Sequence, residues 1–167
     1  MADWRSTLIA ELHDAFALQR TLAERAIAQL DDTQLFRVSG DGDNSIAVLM
    51  KHVGGNLRSR WTDPFTTDGE KPDRDRDSEF VVAGNDAAAV RAVWERGWSA
   101  LDSALLALRP ADLERTVVIR GESNTVVKAL LRSVAHTAQH AGQIILLAKQ
   151  WRGEDWQTLS MPRAPRA

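Results

Sequence analysis

The sequence contains no cysteine. That excludes disulfides, thiolate nucleophiles, zinc ribbons and iron–sulfur ligation together. A tightly held metal ion would have to use His, Asp or Glu. The absence also suits a reducing compartment. Long apolar stretches are missing as well: no run is longer than Ile144 to Ala148, far too short to span a bilayer. The first residues, MADWR, lack the basic start and apolar run of a signal peptide. A cytoplasmic protein with no membrane partner is therefore expected. Neither charge is in large excess: 21 Lys and Arg against 23 Asp and Glu give a formal net charge of −2. A near-neutral balance speaks against a nucleic-acid binder and against an acidic, disordered chain. The phosphate loop of the Walker type, the dinucleotide fingerprint and the His-Glu-x-x-His motif are all absent.

What is present is the composition of an ordinary globular protein, with 44% hydrophobic and 26% charged residues in 167. That length suits one domain over residues 1–167, with enough chain to bury a core unaided. Most of it reads as helix. Trp4, Leu8, Leu12, Ala15, Leu22, Ala26 and Leu30 recur near 3.6-residue spacing, with Asp3 as the N-cap. The turn cluster Ser39 to Asn44 follows, and Asp43 or Asn44 is expected to cap a second helix ending near Trp61, before Pro64. A third is expected from Asp86 to Leu108, capped by Asn85 and stopped by Pro110. Its apolar face includes Val90, Trp94, Gly97, Trp98, Leu101 and Leu105. The two tryptophans read as core packing, and Gly97 between them permits a close helix approach.

Thr116 to Arg120 looks extended, Gly121 turns the chain, and Ser123 or Thr125 caps a fourth helix reaching about Trp151. The tail from about residue 153, with Pro162 and Pro165, reads as irregular. So does the segment from Pro64 to Gly84, whose alternating charges between Glu70 and Glu79 read as a solvated loop. Four long helices predict an all-α four-helix bundle with a long connection between the second and third. Up-down-down-up and simple up-down arrangements both fit.

Three of the four histidines form a pattern. His136 and His140 stand four residues apart, so a helix puts both on one side. They flank the apolar arc of the fourth helix, facing the interior or a cleft. His52 flanks the stripe of Leu49 and Val53 on the second helix. Together the three could offer three nitrogens to a metal ion and leave positions open for water or substrate. Gln143 and Asn56 fall on the same sides as the histidines and are candidates to support them. The same residues also fit a second reading, in which interior histidines satisfy one another within a core. His13 has no partner pattern. Arg58, Arg60, Arg74 and Arg76 could bind an anion or could be solvated charge.

Two segments carry a family resemblance. One is Asn44–Thr62 (NSIAVLMKHVGGNLRSRWT), continuing into Thr67–Pro72 and Arg76–Phe80. The other is Ile119–Glu122 with Ala135–Ile144 (AHTAQHAGQI), followed by Trp156–Pro162. Together they resemble the DinB-like superfamily, also called DinB/YfiT-like. The resemblance implies a four-helix bundle, commonly a homodimer. It implies a divalent metal ion, zinc or nickel among others, on three histidines that match His52, His136 and His140. Trp4 and Trp98 are candidates for the homodimer interface, although core packing explains them equally. Relatives often carry an aromatic residue between the paired histidines, where this chain has Thr137, Ala138 and Gln139. Lys51 stands where a small residue is common.

Characterised relatives include thiol-dependent transferases and isomerases that use mycothiol, bacillithiol or glutathione; others are described as hydrolases. The resemblance therefore implies a metal-dependent enzyme acting on a small molecule. The first reading is thiol S-transfer, in which a low-molecular-weight thiol supplies the sulfur that the chain lacks. Lys51, Arg58, Arg60 or Arg120 are candidates to hold an anionic cofactor or substrate. A metal-dependent hydrolase is the alternative, although no carboxylate is evidently placed as its base. A third reading is a non-enzymatic module that binds a small molecule or a partner.

Overall fold

The computed structural model describes residues 3–81 and 84–160. Four helices dominate: α1 (Trp4–Ile27), α2 (Ile46–Trp61), α3 (Ala87–Ala107) and α4 (Val126–Arg152). Each begins where a side chain satisfies backbone N–H groups that the first turn leaves free. Asp3 accepts from the Arg5 amide, and Thr125 from that of Lys128, as the sequence predicts. The other two caps fall one or two residues later than expected. Ser45, not Asp43 or Asn44, accepts from Val48, and Asp86, not Asn85, accepts from Ala89. Asp43 through Ser45 and Asn85 with Asp86 all have capping chemistry, so composition leaves the start uncertain by a residue or two.

Four helices packed in pairs make a four-helix bundle, with α1 on α4 and α2 on α3. Side-chain contacts set its directions. Arg5 near the start of α1 pairs with Glu114 just before the hairpin that leads into α4, while Arg25 near its end reaches Leu159 beyond α4. α1 thus runs with α4. Arg20 reaches Asp102 and Glu24 reaches Trp94, so α1 runs against α3. α2 runs against α4, because His52 meets His136 and Trp61 meets Ser133. The order is therefore up-down-down-up, and the connection from Thr62 to Asp86 is the crossover.

One hydrophobic cluster fills the centre, with Phe16, Met50, Leu57, Trp98, Leu101, Leu130 and Ile144 almost fully buried. Trp94 and Trp98 pack edge to face, their ring centroids 5.5 Å apart. Trp98 is core, which withdraws it from any interface; Trp4 is 60% exposed. At Gly97 a Cβ would collide with the backbone of Gly54, and at Gly54 with the backbone of Val93. The two glycines let α2 and α3 touch main chain to main chain.

Two features depart from the sequence reading. The extended segment is half of a hairpin, β1 (Thr116–Ile119) with β2 (Glu122–Thr125), paired antiparallel from Thr116 opposite Thr125 to Ile119 opposite Glu122. Arg120 and Gly121 turn it with φ of 56° and 75°, the left-handed pair that a two-residue hairpin requires. The strand Glu-Ser-Asn-Thr has little β-propensity apart from Thr125 and is held by its pairing with β1. The crossover, in turn, is solvated over much of Glu70 to Glu79, as expected, but it is pinned to the bundle at particular residues. Asp68 accepts from the amides of Glu70, Arg120 and Gly121, and Ser59 on α2 donates to Gly69 and accepts from Lys71. A 3₁₀ turn, Asp77–Phe80, follows. Beyond α4 the chain makes a short 3₁₀ turn, Gly153–Asp155; Pro162 and Pro165 lie outside the described residues.

Candidate metal centre

α2 and α4 face each other in opposite directions, and that brings His52 to the paired histidines of α4. Nε2 of His52 lies 3.0 Å from Nε2 of His136, which lies 3.2 Å from Nε2 of His140. The three rings stand edge to face, with centroids 4.5–5.0 Å apart. One nitrogen from each lies within 4.8 Å of the others, so the three histidines are grouped as a metal ion would require. Tetrahedral zinc with Zn–N bonds of ~2.0–2.1 Å would place its nitrogens about 3.3 Å apart. The observed spacing is close to that.

The opposite ring nitrogens decide which tautomers are present. Nδ1–H of His52 donates to Glu79 at 2.9 Å, and Nδ1–H of His140 donates to the Gln143 side-chain oxygen at 2.7 Å. With Nδ1 carrying the proton, Nε2 of each ring turns a lone pair toward the cluster. Nδ1 of His136 is buried and has no hydrogen-bond partner. Three neutral imidazoles with converging Nε2 atoms hold too few protons to bond one another fully. A cation between them would use the lone pairs, so the donor set fits a divalent metal ion.

Electrostatics keeps the His136 and His140 rings unprotonated. Burial pushes His136 down to about 3, reinforced by repulsion from His140, His52, Arg74 and Arg60. Burial also lowers His140, with His52 adding to it and the bond to Gln143 opposing it. Ligation needs neutral imidazole, and these shifts supply it.

Glu79 is the residue the sequence reading missed. It is 6% exposed, and its carboxylate receives Nδ1–H of His52 together with Nε and Nη2 of Arg74 at 2.8 and 2.9 Å. Burial disfavours its charge, but the hydrogen bonds from His52 and Arg74 outweigh that and hold the carboxyl below its ordinary value. Arg74 also donates to Glu70, which accepts from Arg60 and Arg120. Three of the crossover's charges, Glu70, Arg74 and Glu79, thus form a partly buried ladder ending on His52, while Asp73, Asp75, Arg76 and Asp77 stay exposed. Carboxylate–histidine pairs of this kind orient a metal ligand and raise its basicity. Lys51 steadies the same turn by donating to the carbonyls of Ser78 and Val81. Phe80 lies over the His52 ring, 4.9 Å between centroids. One sequence signal marks the arrangement. Gly55 follows His52 by three residues, and a Cβ there would strike the Glu79 carboxylate.

The other expected residues scatter. Gln143 bonds His140, whereas Asn56 bonds none of the three rings. Asn56 lines a cleft of about 120 Å³ beside His136 instead, together with Arg60. Arg58 pairs with exposed Asp73 and Arg120 with Glu70; neither lines that cleft. Lys51 is committed to backbone carbonyls. His13 takes no part in the cluster.

Among the described residues, no helix is long and apolar enough to cross a membrane. The chain belongs to the DUF1572 family, described as a protein of unknown function, whose model matches residues 3–165. Comparison with curated proteins and with solved structures gives no match.

Proposed function

We propose that this chain, as a member of the DUF1572 family, binds one divalent metal ion through Nε2 of His52, His136 and His140 and acts as a metal-dependent enzyme on a small molecule. A single observation carries the reading: Glu79 and Gln143 fix the outer nitrogens of His52 and His140, so that their inner nitrogens converge on His136. The likeness of residues 44–62 and 135–144 to the DinB-like superfamily supports it. Imidazole nitrogens suit zinc, nickel, copper and iron alike, and the resemblance favours zinc or nickel among them.

Bound there, the ion would lower the pKa of a thiol or water held beside the three histidines. Thiol S-transfer is the reaction this chain suits better. It has no cysteine, so the sulfur would arrive on a low-molecular-weight thiol. Hydrolysis would call for a free base near the ion. Among the described residues, the carboxylate bonded to the cluster is Glu79, and it is already bound to His52 and Arg74. Its part is to hold His52, not to take a proton from water.

The test is a zinc- or nickel-loaded preparation assayed with electrophilic small molecules in the presence of mycothiol, bacillithiol or glutathione. Turnover that needs a thiol and disappears in His136→Ala is expected. Turnover of esters or amides that survives removal of every thiol would replace this reading with the hydrolase.

A further inference from the structure

The metal-facing histidines belong to two longer stripes. On α2, His52, Asn56 and Arg60 follow at four-residue intervals; on α4, Arg132, His136 and His140 do the same. Residues four apart share a helix side. Because the helices run in opposite directions, both stripes lead from the histidines to an arginine. Asn56, Arg60, Arg132 and His136 all line the one cleft of about 120 Å³. From the helix rise, Arg132 stands about 6 Å along α4 from His136, and Arg60 about 12 Å along α2 from His52.

The charge of this cleft is one-sided. Among the described residues, two arginines line it and no carboxylate does. Arg60 is half-buried and already bound to Glu70 and to the Gly69 carbonyl. Arg132 is different: it is exposed at the rim and pairs with no acidic group among the described residues, while most other arginines near the site are paired. The Asn56 side chain likewise makes no hydrogen bond among the described residues. The cleft also has apolar lining, from Val117, Val118 and Ile119 of the hairpin with Trp61 and Ala129. A cleft with apolar lining and a free guanidinium at its rim suits a small amphipathic anion.

We propose that the cleft between α2 and α4 takes a small organic carboxylate, its anionic end on Arg132 with Asn56 beside it, and its other end toward His136. The inference deepens the metal reading by naming the substrate class of the same site. The anion anchor itself does not depend on a bound ion. Arg60 contributes positive potential rather than a direct fork, since Glu70 occupies it.

The experiment uses the full chain, metal-free and zinc-loaded, titrated with phenylacetate and with uncharged phenylacetamide. Binding is read from the NMR shifts of the Trp61 indole N–H and the Arg132 Nε–H. Phenylacetate is expected to shift both saturably in either form, and phenylacetamide to bind at least about tenfold more weakly. Arg132→Gln, a change at an exposed position, is expected to cut phenylacetate affinity about tenfold or more without changing zinc content. Equal binding of the amide overturns the proposal. So does Arg132→Gln binding as tightly as the parent, or binding only in the zinc form that ignores Arg132, which would mean direct ligation of the ion. Arg132-dependent binding in a chain that takes up no zinc would keep this inference and remove the metal reading.

Discussion

Glu79 receives the outer N–H of His52 across a distance of 2.9 Å, and both side chains are 8% exposed. This pair joins the crossover to α2 at the point where the three histidines meet. It makes the crossover part of the site, and the first prediction concerns it.

Glu79→Ala should lower zinc affinity about 10- to 100-fold, the usual effect of removing a partner that orients a ligand. It should also destabilise the fold by about 3 kcal/mol, because Arg74, only 4% exposed, would keep a buried charge short of its main partner. Competition with a chromophoric chelator reads the first effect and urea unfolding the second. Unchanged zinc affinity would show that His52 is oriented without Glu79.

Gly55 on α2 and Gly97 on α3 should respond differently to a methyl group. At Gly55 the added Cβ meets the Glu79 carboxylate, a side chain that can swing away. Gly55→Ala should gain about 0.5–1 kcal/mol of helix propensity, offsetting much of the clash, yet weaken metal binding by displacing Glu79. At Gly97 the added Cβ meets the Gly54 backbone, which has nowhere to go without separating α2 from α3. Gly97→Ala should destabilise by about 1–3 kcal/mol. Thermal melts alongside zinc titrations separate the two outcomes; equal melting temperatures would contradict the close packing of the two helices.

The metal-free protein should lose stability on mild acidification. Histidine in the unfolded chain titrates near ~6.5. His136 in the fold is pushed down to about 3. The folded pKa is the lower one, so the contribution is whole above about pH 6.5 and drains as pH falls from there toward 3. His140 acts in the same direction. Glu79, also lowered, adds its own loss only below its unfolded value near ~4.5. Urea midpoints at pH 7, 6 and 5 therefore isolate the histidines. A steeper fall in the parent than in His136→Leu is expected; parallel curves would mean that His136 is not held neutral by the fold.

The helices and the histidine cluster were legible in the sequence because both depend on periodicity. The 3.6-residue spacing placed His136 and His140 on one side of α4 and His52 beside the stripe of Leu49 and Val53. It even aligned Gln143 with His140, and the hydrogen bond between them is present. The exact helix starts were not legible, since several capping residues stand together before α2 and α3. Neither was β2, whose polar residues form a strand only because Arg120 and Gly121 fold it onto β1. The role of Glu79 was hidden for a more general reason. A charged run is solvated unless a specific partner waits for it, and its partners, Arg74 and His52, are supplied by the crossover and by a helix 27 residues away.

The central claim is that three histidines on two helices hold one metal ion, and elemental analysis of the protein purified without a histidine tag tests it most directly. The account predicts about one divalent ion per chain in the parent and none in His136→Ala. No metal in either protein, even after incubation with zinc or nickel, would contradict it and leave His52, His136 and His140 as core histidines.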